Sequence, residues 1–237
     1  MSTKPNYSLD GNVRKRLYLF RHGEVDYMSS GKVVDDPDQV NLTENGRQQA
    51  VNIDENTKEF TIERIVCSGL PRTIQTGEHI AKRRGIKIEN FPSLKEYQWD
   101  PKLLMETDIT KFGYLFEDSK AKEMIGGTED ADEFYKRVIG TLEKIIKEEF
   151  SQIAAFLHGA VNAAIMCWVN DVDISFASKY DQDHAALNII DIDISSKGEI
   201  IRKILKRYNI PPTLISLDSE TMSSWEKTAS KIANLNQ

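Results

Sequence analysis

Three short segments of this chain share one form: an apolar run, then charged or imidazole side chains, then helix-compatible residues. They are LYLFRHGE, carrying Arg21 and His22; RIVCSGLPRTIQTGE, carrying Arg72; and AAFLHGAVN, carrying His158. A guanidinium is a planar fork that matches phosphate oxygens in pairs. An imidazole among guanidiniums can attack phosphorus through one ring nitrogen while an acceptor holds the other. A second imidazole would join the arginines in stabilising charge on the equatorial oxygens of a transferring phosphoryl group. A nearby carboxylic acid would protonate the leaving alkoxide. Singly, each residue is ordinary, since a histidine at a strand end is more often packed than catalytic and Arg72 alone reads as a surface arginine. Their joint placement carries the expectation.

The elements that must position them are read from periodicity. Leu17–Phe20 reads as a buried strand and Ile62–Ser68 as a second. Between them, Thr43 is a candidate cap for a helix that tolerates Gly46 at some cost. Pro71 suits the first turn of a helix that stops at Gly85, and IKIEN is a brief strand. The clearest helix is TEDADEFYKRVIGTLEKIIKEEF, capped by Thr128, with apolar positions at Phe134, Val138, Leu142, Ile145 and Ile146. Gln152–His158 is a buried strand and AVNAAIMCWVND a buried helix. ALNIIDID and EIIRKILKRY, joined by SSKG, suit an antiparallel hairpin. Strands alternating with helices predict a three-layer α/β/α sandwich with a mainly parallel central sheet. Ligands of such sheets sit beyond the carboxyl ends of the strands, where Arg21, His22 and His158 fall.

Length and composition bound the rest. The 237 residues suit one domain over 1–237, with an aromatic-rich insertion or lid at about 91–127 and a C-terminal extension from about 209 carrying a short helix near Ser224–Ala233. A net charge of −6 argues against nucleic acid but allows a locally positive pocket. Cys67 and Cys167 lie among apolar residues and read as buried thiols. No run approaches the apolar length of a membrane span or a signal sequence, so the expected setting is cytoplasmic, with no membrane partner. His79 and His184 show no metal spacing, and no cofactor or metal is expected; His184, ahead of a strand, could approach the pocket, but a structural role is the favoured reading. KRR and RKILKR read as solvated faces. The apolar helices and the tail suit a homodimer or simply a core.

LFRHGE, NLTENGRQQA, CSGLPRTIQTGE, GGTEDADEFYKRV and FLHGAVN, in that order from Leu17 to about Asn162, resemble the histidine phosphatase superfamily, in its phosphoglycerate mutase-like branch. The resemblance implies that His22 is the phosphorylated nucleophile. It implies that Arg21 and Arg72 bind phosphoryl oxygens, that His158 completes the pocket, and that the Gly159 backbone and Glu24 shape it. The proton donor of that branch falls in a short acidic motif, matched here by Glu96 in SLKEYQWD, with Asp100 or Glu106 next in line. The chain departs from the usual pattern at Val25, where relatives commonly carry Thr or Ser, and at Met28, where they carry Asn. Gly69 replaces a proline and Pro71 adds one.

Three functions compete. The first is hydrolysis of a small-molecule phosphoester through phosphohistidine. The second is a mutase returning the phosphoryl group to another hydroxyl, for which the extra basic residues of mutases are not evident in KEYQWDPKLL or the tail. The third is a non-catalytic phosphate-binding module, which the apolar Val25 and Met28 keep open. The intact charged residues favour the first.

Overall fold

The computed structural model describes residues 6–8, 10–29, 32–98, 116, 129–215, 222–223 and 226–227. Its strands are β1 (Asn6–Tyr7), β2 (Val13–Arg21), β3 (Met28–Ser29), β4 (Lys32–Val33), β5 (Arg64–Cys67), β6 (Ile88–Asn90), β7 (Gln152–Leu157), β8 (Leu187–Ile194) and β9 (Ile200–Ile210). The helices are α1 (Glu44–Asn56), α2 (Pro71–Arg84), α3 (Ala131–Lys147) and α4 (Gly159–Val169). The main sheet runs β6-β5-β7-β2-β8-β9, with β1 paired to β2. Its β6, β5, β7 and β2 are mutually parallel, whereas β8 and β9 add as the expected antiparallel hairpin.

Alternation along the strands builds two apolar layers. Leu17 and Leu19 of β2, with Ile153, Ala155 and Leu157 of β7, pack under Phe134, Val138 and Leu142 of α3 and Ile165 of α4. Tyr18 and Phe20, with Ala154 and Phe156, face the opposite way onto Ile53 of α1 and Ile80 of α2. The result is the three-layer α/β/α sandwich. Both cysteines are sealed in these layers: Cys67 faces α1 and α2, Cys167 lies on α4, and burial raises both thiol pKa values, the latter to about 11.

Several local rules hold. Thr43 Oγ1 accepts the Gly46 N–H and caps α1. Gly85 ends α2 in the left-handed region at φ 65°, with the basic Lys82, Arg83 and Arg84 in the last turn. α3 starts later than expected, since Asp130, not Thr128, caps it by accepting from the Asp132 and Glu133 N–H groups. Thr128 lies outside the described residues, as do most of the expected lid and most of the C-terminal extension. No helix among the described residues is long and apolar enough to cross a membrane.

The basic runs differ from expectation. β2 begins at Val13, four residues before its apolar part, because Arg14 and Arg16 face Asp193 and Asp191 directly across the strand pair. Their guanidiniums sit 2.7 Å from those carboxylates, fully buried. Glu226, far along the chain, joins Arg14 at 2.9 Å and also pairs with Arg202. Neither KRR nor RKILKR is simply a solvated face: Arg83 pairs with Asp54, Arg84 donates to the Thr57 carbonyl, and Lys203 pairs with Asp171.

Candidate active site

Three parallel strands, β5, β7 and β2, end side by side, with β7 in the middle. The residues just past one strand therefore meet those just past its neighbours. His158, directly after β7, lies between Ser68 after β5 and His22 after β2. The His22 and His158 ring centroids are 5.3 Å apart, nearly edge-on, and both rings are buried.

Arg72 enters from the first turn of α2. That helix sits close to the sheet because Gly77 has no side chain; a Cβ there would lie 2.6 Å from the Phe156 ring. A similar close approach holds the loop after His22, where a Cβ on Gly46 would lie 2.2 Å from the Glu24 carbonyl. This explains a glycine inside a helix. Side chains of α2 fasten the same loop. Thr76 Oγ1 accepts the Gly23 N–H at 2.9 Å, and Gln75 accepts the Leu42 N–H at 2.9 Å.

The hydrogen bonds settle where protons sit. His22 Nδ1 lies 2.7 Å from the Gly23 carbonyl, which can only accept. The proton is therefore on Nδ1 and the lone pair on Nε2. For His158, Thr73 donates its one hydroxyl proton to the Leu70 carbonyl at 2.8 Å. Ser68, 3.1 Å from Thr73 Oγ1, must then donate to it. Ser68 Oγ, 2.8 Å from His158 Nε2, is left as acceptor. So His158 carries its proton on Nε2 and a bare Nδ1. Burial, then Arg72 and Arg21, hold the His22 ring well below the usual imidazole pKa. Burial, then Arg72 and His22, do the same to His158.

Around these rings, buried polar atoms stand without partners. Arg21 Nε, Arg72 Nε and His158 Nδ1 have none among the described residues. Such atoms are rare in a protein interior because each carries a desolvation penalty. The donor set, two guanidiniums beside imidazoles, suits an oxyanion and disfavours a cation.

Glu96 reaches the same place. Its Oε2 accepts the Ala160 N–H at 3.3 Å, and its Oε1 accepts the Tyr97 N–H at 2.9 Å. Gly159 fits between: a Cβ there would lie 3.5 Å from Arg21 Nε and 3.8 Å from Glu96 Oε2. Arg137 of α3 secures the Glu96 loop by donating to the Ser93 and Lys95 carbonyls at 2.8 Å and to the Glu96 carbonyl at 3.1 Å. Glu129 holds Arg137 in turn at 2.7 Å.

Arg21, His22, Arg72, Glu96, His158 and Gly159 are thus brought together. The alternative acids Asp100 and Glu106 lie outside the described residues. Glu24 serves the loop, its carboxylate accepting from Thr43 at 2.7 Å and Asn45 at 2.8 Å. Val25 turns away into a cluster with Leu42 and Ala50, and Met28 is exposed. His79 lies on α2, outside the cluster. His184 does approach the pocket, its ring centroid 5.6 Å from that of His22. Ser68, Thr73, Thr76 and Arg137 are missed by sequence reasoning. Three of these lie in CSGLPRTIQTGE, where hydroxyls beside an expected site residue were the available signal.

Fold and pocket together define a class, a three-layer α/β protein with paired arginines and histidines at the carboxyl edge of its sheet. The chain belongs to the histidine phosphatase superfamily, whose branch 1 model matches residues 17–202. It is 27% identical over 150 residues to a protein of Cronobacter sakazakii named "Probable phosphoglycerate mutase GpmB". That match spans 63% of this chain and 63% of the relative, so this chain covers less than two thirds of it. It is 26% identical over 187 residues to Phosphoserine phosphatase 1 of Hydrogenobacter thermophilus, covering 75% of this chain and 87% of that one. In fold it is similar to a mycobacterial glucosyl-3-phosphoglycerate phosphatase, with a TM-score of 0.68 at 20% identity over 83% of this chain and 99% of that one.

Proposed function

We propose that this chain is a phosphomonoester hydrolase of small phosphorylated metabolites of the cytoplasm, working through a phosphohistidine at His22. The observation that carries the reading is the pair of unpartnered buried guanidinium nitrogens, Arg21 Nε and Arg72 Nε, beside His22, whose Nε2 holds the free lone pair.

Arg21, Arg72 and His158 bind the phosphoryl oxygens. His22 Nε2 attacks phosphorus, the N–P bond forms and the ester P–O bond breaks. The electron pair leaves with the alkoxide, which takes the carboxyl proton of Glu96. In the second half Glu96, now a carboxylate, removes a proton from water. The water oxygen attacks phosphorus, the N–P bond breaks, and phosphate leaves with the enzyme restored. Burial favours the first step by keeping His22 neutral. Two guanidiniums stabilise charge on the equatorial oxygens of both transition states.

The curated mutase relative favours a second reading, return of the phosphoryl group to another hydroxyl. The two separate in one assay set. Hydrolysis of p-nitrophenyl phosphate that disappears in His22→Ala supports the phosphatase. Phosphoglycerate isomerisation dependent on 2,3-bisphosphoglycerate supports the mutase. Phosphate binding without turnover of any phosphoester in a metabolite screen would sink both.

A further inference from the structure

His184 stands in the loop between the 3-10 helix Ile174–Lys179 and β8, and that loop is fixed from both sides. Upstream, the Arg21 guanidinium donates to the Gln182 carbonyl. Asp183 accepts from Asn209 Nδ2 at 3.0 Å, and its own N–H donates to Asn209 Oδ1 at 2.8 Å. Downstream, the Ala185 N–H donates to the His22 carbonyl at 3.1 Å. Ala185 is held at φ 60°, and Asn209 at φ 50°. The left-handed region costs a residue with a side chain on the order of 1 kcal/mol or more, and it persists where the surroundings over-determine it. Here the bonds to His22, Arg21 and Asn209 do so. A plain connection to β8 would need none of this.

The loop delivers the His184 ring, half-buried, to 5.6 Å from the His22 ring. Among the described residues no side chain or carbonyl hydrogen-bonds to that ring. Burial, then Arg21, lower its pKa to about 4, with Glu24 and Asp183 acting in the opposite sense. At neutral pH it is thus a neutral imidazole, with one N–H to give. Of the two positions where relatives commonly carry polar side chains, Val25 is turned into its apolar cluster and Met28 is exposed.

We propose that His184 is a phosphoryl-oxygen ligand of this pocket, donating a ring N–H to the group held at His22 in place of the polar side chains that Val25 and Met28 do not supply. The inference rests on the reading of His22 as the phosphoryl acceptor. It also has a chemical logic. A further cation would hold product phosphate more tightly still, whereas a neutral donor adds direction without adding charge.

The test is inorganic phosphate binding by calorimetry at pH 7.5, which needs no turnover, with thermal melting alongside. His184→Phe keeps a ring and removes the N–H; it is expected to weaken phosphate about tenfold, the scale of one hydrogen bond to a charged group. His184→Gln restores a donor and is expected to stay within about threefold of wild type. A Phe variant that binds phosphate like wild type overturns the proposal, as does a Gln variant that loses as much as Phe. If the Phe variant does not fold, His184→Ala takes its place under the same criterion. The phosphatase reading fails separately, through a wild type that hydrolyses no phosphoester. A wild type that binds no phosphate overturns both.

Discussion

His158 Nε2 lies 2.8 Å from Ser68 Oγ, across ninety residues of chain, and that contact decides which nitrogen of His158 faces the pocket. With Nε2–H committed to Ser68, and Ser68 committed to Thr73, Nδ1 is bare. A phosphoryl dianion cannot bind a lone pair, so His158 must take up a proton as phosphate arrives. The groups facing it, Arg72, His22, Arg21 and Arg137, all disfavour that proton in the free protein. Phosphate binding at pH 7.5 is expected to be coupled to net proton uptake. Calorimetry in buffers of different ionisation enthalpy measures the uptake, and His158→Asn should remove most of it. Binding with no proton exchange in wild type refutes this tautomer.

Ser68→Ala should leave the His158 ring without its acceptor while keeping the packing. Loss of one buried hydrogen-bond partner is worth about 1–3 kcal/mol, so turnover should fall on the order of ten- to a hundredfold. Steady-state rates on p-nitrophenyl phosphate check this, and Ser68→Thr should recover part of the loss. Unchanged turnover in Ser68→Ala would remove Ser68 from the site.

Glu96 and Arg137 should behave as one unit with a shared dependence on leaving group. Glu96→Gln is expected to slow alkyl phosphate hydrolysis about a hundredfold or more, the usual range for a proton donor. In the burst of leaving-group release, which precedes the step where Glu96 acts on water, a phenolate that leaves without a proton should be affected far less. Arg137→Ala frees the carbonyls of residues 93, 95 and 96 and should reproduce the same selectivity at smaller size. Equal losses on both substrates would take Glu96 out of the donor role.

Acid should destabilise the fold in two stages. His22 and His158 have folded pKa values depressed below 6.5, and His184 lies at about 4. Below about pH 6.5 the unfolded chain therefore binds more protons than the folded one, and stability declines as pH falls. Burial raises the Glu226 pKa, but Arg14 outweighs it and holds that carboxylate well below the usual 4.5. Its contribution is present above that value and is lost further down. Melting temperature against pH reads both limbs. His22→Asn with His158→Asn should flatten the upper limb only.

Glu226→Gln tests the clamp on the C-terminal segment. The change takes one carboxylate from the buried Arg14 and the part-exposed Arg202, both of which also pair with Asp193. A loss of about 2–4 kcal/mol in urea unfolding is expected, because removing one partner of a buried ion network strands charge. A loss within error would mean that Glu226 does not clamp the segment.

Much of this was legible in the sequence because it depends on local pattern. Strand alternation gave Leu17 and Leu19 one face and Tyr18 and Phe20 the other, and the positions of Arg21, His22 and His158 come from where those strands stop. What depended on pairing was not legible. Arg14 and Arg16 carry no sign of their partners in the sequence until β8 sets Asp193 and Asp191 opposite them. His184 looks structural because its place is set by a left-handed alanine and a bond to the His22 carbonyl, which periodicity does not encode. Ser68 and Thr73 were in plain view, but their role needs the neighbouring strand to bring His158 within reach.

The sulfur atoms give the chain a further property. Its two thiols, Cys67 and Cys167, are fully buried, and burial keeps them protonated. Thiolates, not thiols, are what peroxide attacks readily. The proposed nucleophile, His22, is a nitrogen base. Phosphate release from p-nitrophenyl phosphate should therefore continue through a peroxide exposure that silences phosphatases dependent on a cysteine thiolate. Such a protein could go on working under oxidative stress, when thiol-based phosphatases fall silent.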